Sequence, residues 1–182
     1  MNLRSVILAL LSWKSSSGYD LKQIISDSDI FYWSGNNNQI YKNLIELQNE
    51  GLVTHQVQVQ EHLPAKKIYS VTDKGLSELR RNLLANPEPP ELHKDFLIQL
   101  AWAETLSDEE ILGLFDQYED EVTARLKMYQ AKAKQAANRP DRTKREEFLW
   151  LSIADNLVNS CQAELDWVRQ TRQEFREKKY EE

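Results

Sequence analysis

Leu3, Val6, Ile7, Leu10 and Leu11 recur three and four residues apart, which places an apolar stripe along a first helix. Gly18 reads as the punctuation after it. Tyr19, Leu21, Ile24 and Ile25 then mark a second helix, stopping near Asp27 to Ile30, where short polar side chains compete for backbone hydrogen bonds. Ser34-Gly35-Asn36 supplies turn and N-cap chemistry for a third helix. In it Ile40, Leu44 and Leu47 fall at i, i+4 and i+7, and Ile45 widens the stripe, so this face is expected to pack inward. Asn37, Asn38, Gln39, Lys42, Asn43 and Glu46 are left outside. Gly51 follows where a left-handed residue commonly ends a helix.

The period then changes from helical to alternating. Val53, Val57 and Val59 alternate with polar neighbours, Leu63-Pro64-Ala65 makes a short break, and Ile68, Tyr69 and Val71 form a return strand. Thr72, with Asp73 in the first turn, caps a fourth helix carrying Leu76, Leu79 and Leu83. Helix, two-stranded ribbon, helix is the order a winged helix needs to place one helix in a DNA groove with the ribbon beside the backbone.

Asn86-Pro87-Glu88-Pro89-Pro90-Glu91 ends any helix, because proline removes backbone donors and biases the preceding residue away from helical angles. It is the expected boundary: a winged-helix domain over 1–85, a linker over 86–92 and a helical domain over 93–182. Past it the period is helical throughout. Phe96, Leu97, Leu100 and Ala101 mark a helix that breaks near Thr105-Leu106, and Ser107 with Glu110 forms a capping box opening a longer one. The stripe of that helix is Ile111, Phe115, Tyr118, Val122, Leu126, Tyr129 and Ala133. After a break around Asn138-Arg139-Pro140-Asp141, a final helix runs from about Thr143 to Lys178 with Leu151, Ala154, Val158, Cys161, Leu165, Val168, Arg172 and Phe175 at heptad spacing. Such a seam wants another helix against it. The expectation is a homodimer closed by Leu151, Ala154, Val158, Cys161, Leu165 and Val168; whether the helices cross between copies or fold back within one chain stays open.

Composition narrows the function. With 182 residues and 41% hydrophobic content the chain supports a modest core, and its low Gly and Pro counts favour a mainly α fold with a small β-wing. The net charge of −6 argues at first against nucleic acid. Residues 1–92 carry nine Lys/Arg and ten Asp/Glu, however, while residues 93–182 carry fourteen and nineteen, so the acidity sits mainly in the second half. The first half still has room for a local positive face, with weak and salt-sensitive non-specific DNA affinity. The single Cys161 excludes an internal disulfide, no Cys/His grouping has zinc-site spacing, and a reducing, cytoplasmic setting fits. The apolar run Val6 to Leu11 is too short to span a bilayer, and no small-residue cleavage site follows it.

Catalysis needs convergent groups, and the sequence offers none. His55, His62 and His93 stand apart, and there is no Ser/His/Asp order, phosphate-binding glycine loop or paired-carboxylate motif. Asp108-Glu109-Glu110 compensates a helix dipole. An enzyme is not expected, nor a cofactor or metal. The third helix is different: Asn and Gln bond bidentately to adenine in the major groove, and Lys reaches guanine or phosphate. Asn37, Asn38, Gln39 and Lys42 are therefore the candidates for base reading, against the plainer reading of the asparagines as a helix cap. Tyr41 either offers its hydroxyl to phosphate or packs beneath the helix. Lys66 and Lys67 lie past the wing tip, on opposite strand faces, so one of them is expected to meet the DNA backbone. Lys14 and Lys22 are either further backbone contacts or merely solvated. The tryptophans Trp33, Trp102, Trp150 and Trp167 are ordinary core candidates. A second reading has Phe96, Trp102, Tyr129 and Trp150 lining an apolar pocket at the dimer interface, where a planar effector stacks.

Ile7-Leu8-Ala9-Leu10-Leu11, Gly18-Tyr19-Asp20-Leu21, Ile40-Tyr41, Leu44, Leu47, Gly51-Leu52-Val53, Lys67, Tyr69 and Thr72-Asp73-Lys74-Gly75 together resemble the N-terminal domain of PadR-type transcriptional regulators, over residues 3 to about 85. Phe96 to Glu110 is similar to the C-terminal region of the longer, virulence-activator-like group. The resemblance implies a homodimeric winged-helix repressor or activator on an inverted repeat of double-stranded DNA, the C-terminal helices making the dimer. It also implies a response to small aromatic molecules such as phenolic acids or drugs, with effectors varying widely. Where the family often has basic residues around the third helix, this sequence has mainly asparagine and glutamine. Base-edge contacts must then carry much of the affinity. The competing reading is an adaptor whose winged helix binds another protein.

Overall fold

A computed structural model describes residues 2–28, 38–60, 63–87, 94–136 and 142–181. The chain divides into two compact units, Met1–Pro90 and Glu91–Glu182.

The N-terminal unit runs α1 (Leu3–Trp13), β1 (Ser16–Ser17), α2 (Gly18–Ser26), α3 (Asn38–Asn49), β2 (Val53–Gln60), β3 (Leu63–Val71) and α4 (Asp73–Leu83). Asn2 starts α1 by accepting the Ser5 amide at 3.1 Å. Ile7, Leu8, Leu21, Leu44, Leu47 and Val53, from three helices and a strand, form the centre of the core, each 1% exposed or less. Gly51 takes φ 71°, the Leu52 amide reaches back to the Leu47 carbonyl at 2.9 Å and the Gly51 amide to Gln48 at 2.9 Å. That paired closure ends α3 and turns the chain into β2. Thr72 caps α4 by accepting the Gly75 amide at 3.1 Å. A Cβ on Gly75 would meet the Leu52 carbonyl oxygen at 2.2 Å, so only glycine lets α4 sit this close to the α3–β2 corner.

The structure departs from the sequence expectation at four points. Gly18 does not end α1, which stops at Trp13; it opens α2, buried, where a side chain would strike the Tyr41 ring at 2.6 Å. Ile45 is 57% exposed and takes no part in the core. Ile40, Leu44 and Leu47 already fill the inward face. The hairpin is longer than the alternation suggested, because β3 begins at Leu63 and Leu63-Pro64-Ala65 are strand residues. Proline is tolerated there because β1 pairs with β3 only at Ile68 and Tyr69, leaving the outer part of β3 a free edge. Finally, α4 buries Leu79 but leaves Leu76 and Leu83 exposed. The sheet order is β1-β3-β2, all antiparallel, with His55 opposite Tyr69 and Val57 opposite Lys67. Strand β1 has no alternating signal of its own, being two residues long.

The C-terminal unit comprises α5 (Asp95–Ala101), a 3-10 turn over Ala103–Thr105, α6 (Asp108–Ala136), α7 (Lys144–Arg176) and a closing 3-10 turn over Lys179–Glu181. The Ser107–Glu110 capping box is formed, as is a second one, Thr143 with Glu146, at the start of α7. Helices α6 and α7 are antiparallel neighbours. The Cys161 thiol lies 3.6 Å from the Val122 carbonyl, Arg169 pairs with Glu119 at 2.7 Å, and Arg172 bridges Asp116 and Glu119. From Cys161 onward the seam closes within one chain. Cys161, Leu165 and Val168, expected between two copies, are covered within one chain by Phe115, Val122 and Leu126 of α6. Of the proposed dimer residues, Leu151, Ala154 and Val158 are only half-buried.

Candidate nucleic-acid interface

Because Ile40, Leu44 and Leu47 hold α3 against the core, its opposite arc faces solvent with Gln39, Tyr41, Lys42 and Ile45. Asn38 opens the helix, though its side chain lies outside the described residues, as do Asn36 and Asn37. Tyr41 is 44% exposed while its ring packs on Gly18, so the two readings of Tyr41 merge: the ring is anchored and its remaining edge is open. Lys42 reaches Glu46 at 4.0 Å, one turn on, and keeps most of its side chain in water. Asn43 is turned back onto the helix, its amide donating to the Gln39 carbonyl at 2.7 Å. Arg4, which the sequence did not single out, is committed to structure: it pairs with Glu46 and Glu50 and ties α1 to the end of α3. Its bond with Glu50 raises the guanidinium pKa and holds the Glu50 carboxyl low.

The two wing lysines differ. Lys66 pairs with Asp20 at the start of α2, Nζ to Oδ2 at 3.0 Å, while Lys67 on the other strand face is exposed. Asp20 also accepts the Ser17 hydroxyl at 2.8 Å, and the Ser17 bonds, followed by Lys66, keep its carboxyl pKa below the ordinary value. The partner of Lys66 was missed from the sequence, although Ser17 and Asp20 three residues apart are a readable capping pattern. Beside Lys67, Val57 and Val59 are 56% and 85% exposed, so the hairpin's core-facing side runs out past the core as an apolar ledge. Lys22 is half-buried and Lys14 exposed.

Within one chain the four aromatics expected around an effector do not converge. Phe96 is buried, stacked on Tyr118 at 3.9 Å and edge-on to Trp167 at 6.2 Å. Tyr129 lies about 16 Å further along α6 than Tyr118, and Trp150 about 25 Å from Trp167 along α7, at 1.5 Å per residue. Trp102 is 73% exposed at the end of α5, and the Arg142 guanidinium sits 4.8 Å above the Trp150 ring. Phe96 lines a cavity of about 380 Å³ between α5 and α6 with Lys94, Gln99, Leu114, Tyr118 and Arg125. At its edge Glu164 accepts the Tyr118 hydroxyl at 2.7 Å and pairs with Lys94. Burial pushes against ionisation of Glu164, but the bonds from Lys94 and Tyr118 outweigh it and hold the carboxyl below its ordinary pKa. Burial, together with the bond to Glu164, pushes the Tyr118 phenol up. Burial also raises the Cys161 thiol, which suits a packing residue better than a reactive one. Among the described residues no His/Cys/Asp/Glu group is placed to hold a metal ion, and no helix is long and apolar enough to cross a membrane.

Three packed helices, a β2–β3 hairpin and an outward α3 define a winged helix-turn-helix unit, here followed by a helical hairpin unit. Residues 7–81 match the transcriptional regulator PadR-like family, and residues 92–176 match the virulence activator alpha C-terminal family. The chain thus carries a PadR-like domain followed by a virulence activator alpha C-terminal domain. The negative transcriptional regulator PadR of Bacillus subtilis (strain 168) is 34% identical over 114 residues, which span 62% of this chain and 63% of that protein. Crystal structures of Bacillus subtilis PadR with operator DNA and with p-coumaric acid have TM-scores of 0.82 and 0.76 at 24% identity, covering 95% of this chain and 98% and 94% of theirs. A PadR-like transcriptional regulator from Bacillus cereus has a TM-score of 0.73 at 27% identity, over 94% of each chain.

Proposed function

We propose that the chain is a cytoplasmic, non-enzymatic, homodimeric repressor that reads an inverted repeat with α3 and touches the flanking backbone with its wing. The observation that carries this is the outward arc of α3, where exposed Gln39, Tyr41 and Lys42 stand on a helix fixed by a filled core. Gln39 and Asn38 suit adenine edges, Lys42 suits guanine or phosphate, and Lys67 is the wing lysine with no carboxylate bound to it among the described residues. Asn37 belongs to the same proposal on its sequence position alone. Repression is supported by the 34% identity to a negative regulator. Dimerisation is supported by the first half of α7, where Phe148, Leu149 and Ile153 are 69%, 51% and 38% exposed beside half-buried Leu151, Ala154 and Val158. An apolar face of this kind on a long helix needs a partner. For an effector, the cavity bounded by Phe96, Tyr118, Lys94 and Arg125 suits a small aromatic molecule with a polar group, in keeping with the p-coumaric acid complex of the Bacillus subtilis protein.

A gel-shift titration of the purified chain against its own upstream DNA tests the central claim, with low-nanomolar to micromolar binding expected at low salt. Absence of binding to any genomic fragment would leave the adaptor reading, which the neutralised Lys66 favours.

A further inference from the structure

We infer that Ile45 determines specificity by packing on the C5-methyl group of a thymine in the major groove, an inference that rests on the DNA-binding reading above. The inward face of α3 is complete without it: Ile40, Leu44 and Leu47 are 6%, 0% and 0% exposed, while Ile45 is 57% exposed. At 3.6 residues per turn it projects about 140° around the helix from Ile40, between Tyr41 and Lys42 and in the middle of the outward arc. Lone exposed apolar residues are ordinary on a protein surface. What separates Ile45 from Leu84, 75% exposed at the end of α4, is its place among Gln39, Tyr41 and Lys42.

The chemistry is complementary to that of its neighbours. Amide and ammonium groups read hydrogen-bonding edges, and the one apolar feature of the major-groove edge is the thymine methyl. An isoleucine flanked by Gln39 and Lys42 adds that missing reading. Tyr41, one turn before Ile45 and held by Gly18, limits how far the helix surface around it can shift. The consequence is a preferred thymine at one fixed position in each half-site, next to the positions read by the polar residues.

The test separates this inference from the reading beneath it. DNA selected from a random pool by the purified full chain is resynthesised with each thymine in turn replaced by deoxyuridine, which deletes only the methyl group. The expected result is one position per half-site where uracil weakens binding by the wild-type chain about three- to fivefold. Ile45→Ala should weaken binding to thymine DNA by a similar factor and lose its sensitivity at that position alone, with an unchanged thermal midpoint. Sensitivity at every thymine that is the same in Ile45→Ala as in wild type, or no sensitive thymine at all, overturns the inference while leaving DNA binding intact. Failure to select any sequence overturns the DNA-binding reading and this inference with it. The uracil scan on the wild-type chain needs no substitution, so a folding defect cannot imitate the result.

Discussion

Helix α3 and the first half of α7 were both read from apolar residues three and four apart, and both leave apolar side chains in water, yet the two exposures differ in kind. In α3 the buried face is filled and one isoleucine stands alone among polar neighbours. In α7 Phe148, Leu149 and Ile153 are three exposed apolar residues within two turns, while the same helix further on buries Leu165 and Val168 against α6. A single apolar residue on a polar arc suits a small apolar group on a ligand. Three within two turns of a long helix suit another protein surface.

The comparison can be broken most forcefully in the closed part of the C-terminal unit. Phe96→Ala removes a ring that stacks on Tyr118 and meets Phe115 and Trp167, and should cost about 3–5 kcal/mol in chemical denaturation. A loss below about 1 kcal/mol would mean that α5 is not part of this core. Next in size, Leu149→Asp places a charge among the exposed apolar residues of α7 and should weaken self-association about thirtyfold, near 2 kcal/mol, in sedimentation equilibrium. Its unfolding midpoint at concentrations where both proteins are monomeric should stay within about 0.5 kcal/mol of wild type. Unchanged association would remove these residues from the dimer proposal.

The Glu164 network gives a smaller and pH-dependent effect. Its folded-state pKa is depressed, so its contribution is present above the unfolded value near pH 4.3 and fades as pH falls through the lower folded value. Glu164→Gln should flatten the fall in stability over that acidic window and leave its shape near pH 7 unchanged. The smallest effect separates the two wing lysines. Lys67→Ala should lower DNA affinity for all sequences alike and reduce the salt slope by about 1, whereas Lys66→Ala, whose ammonium already binds Asp20, should change the slope less. Equal slopes for the two would show that the Asp20 pair opens on DNA.

What could be read from the sequence follows how local each cause is. Gly51, the Thr72 cap and the Ser107–Glu110 box are short-range, and each has the expected geometry. Core stripes were legible wherever a helix has one neighbour set, as Ile40, Leu44, Leu47 and the α6 stripe show. Ile45 was misplaced because periodicity cannot say how wide a face the neighbours cover. Cys161, Leu165 and Val168 were assigned to another copy because a heptad seam looks the same whether its partner is a second chain or the preceding helix. The pairing of Lys66 was not legible, since its partner Asp20 is far away in sequence and only the hairpin's path brings the two together. The four aromatics expected around an effector are spread along the helices of one chain, a separation that residue type alone does not carry.

The uneven pairing of β3 has one more consequence. Past Ile68 the hairpin rests on no third strand, so its outer end can be lengthened or trimmed without disturbing the sheet's base. Removing one residue from each strand would shorten its reach by about 3.3 Å and swap its two faces, moving Lys67's neighbours to the other side. Removing two from each would shorten it by about 7 Å with the faces kept. Reach along DNA in this fold is thus adjustable by evolution in even steps, and length changes among wings of this type should come in multiples of four residues per hairpin.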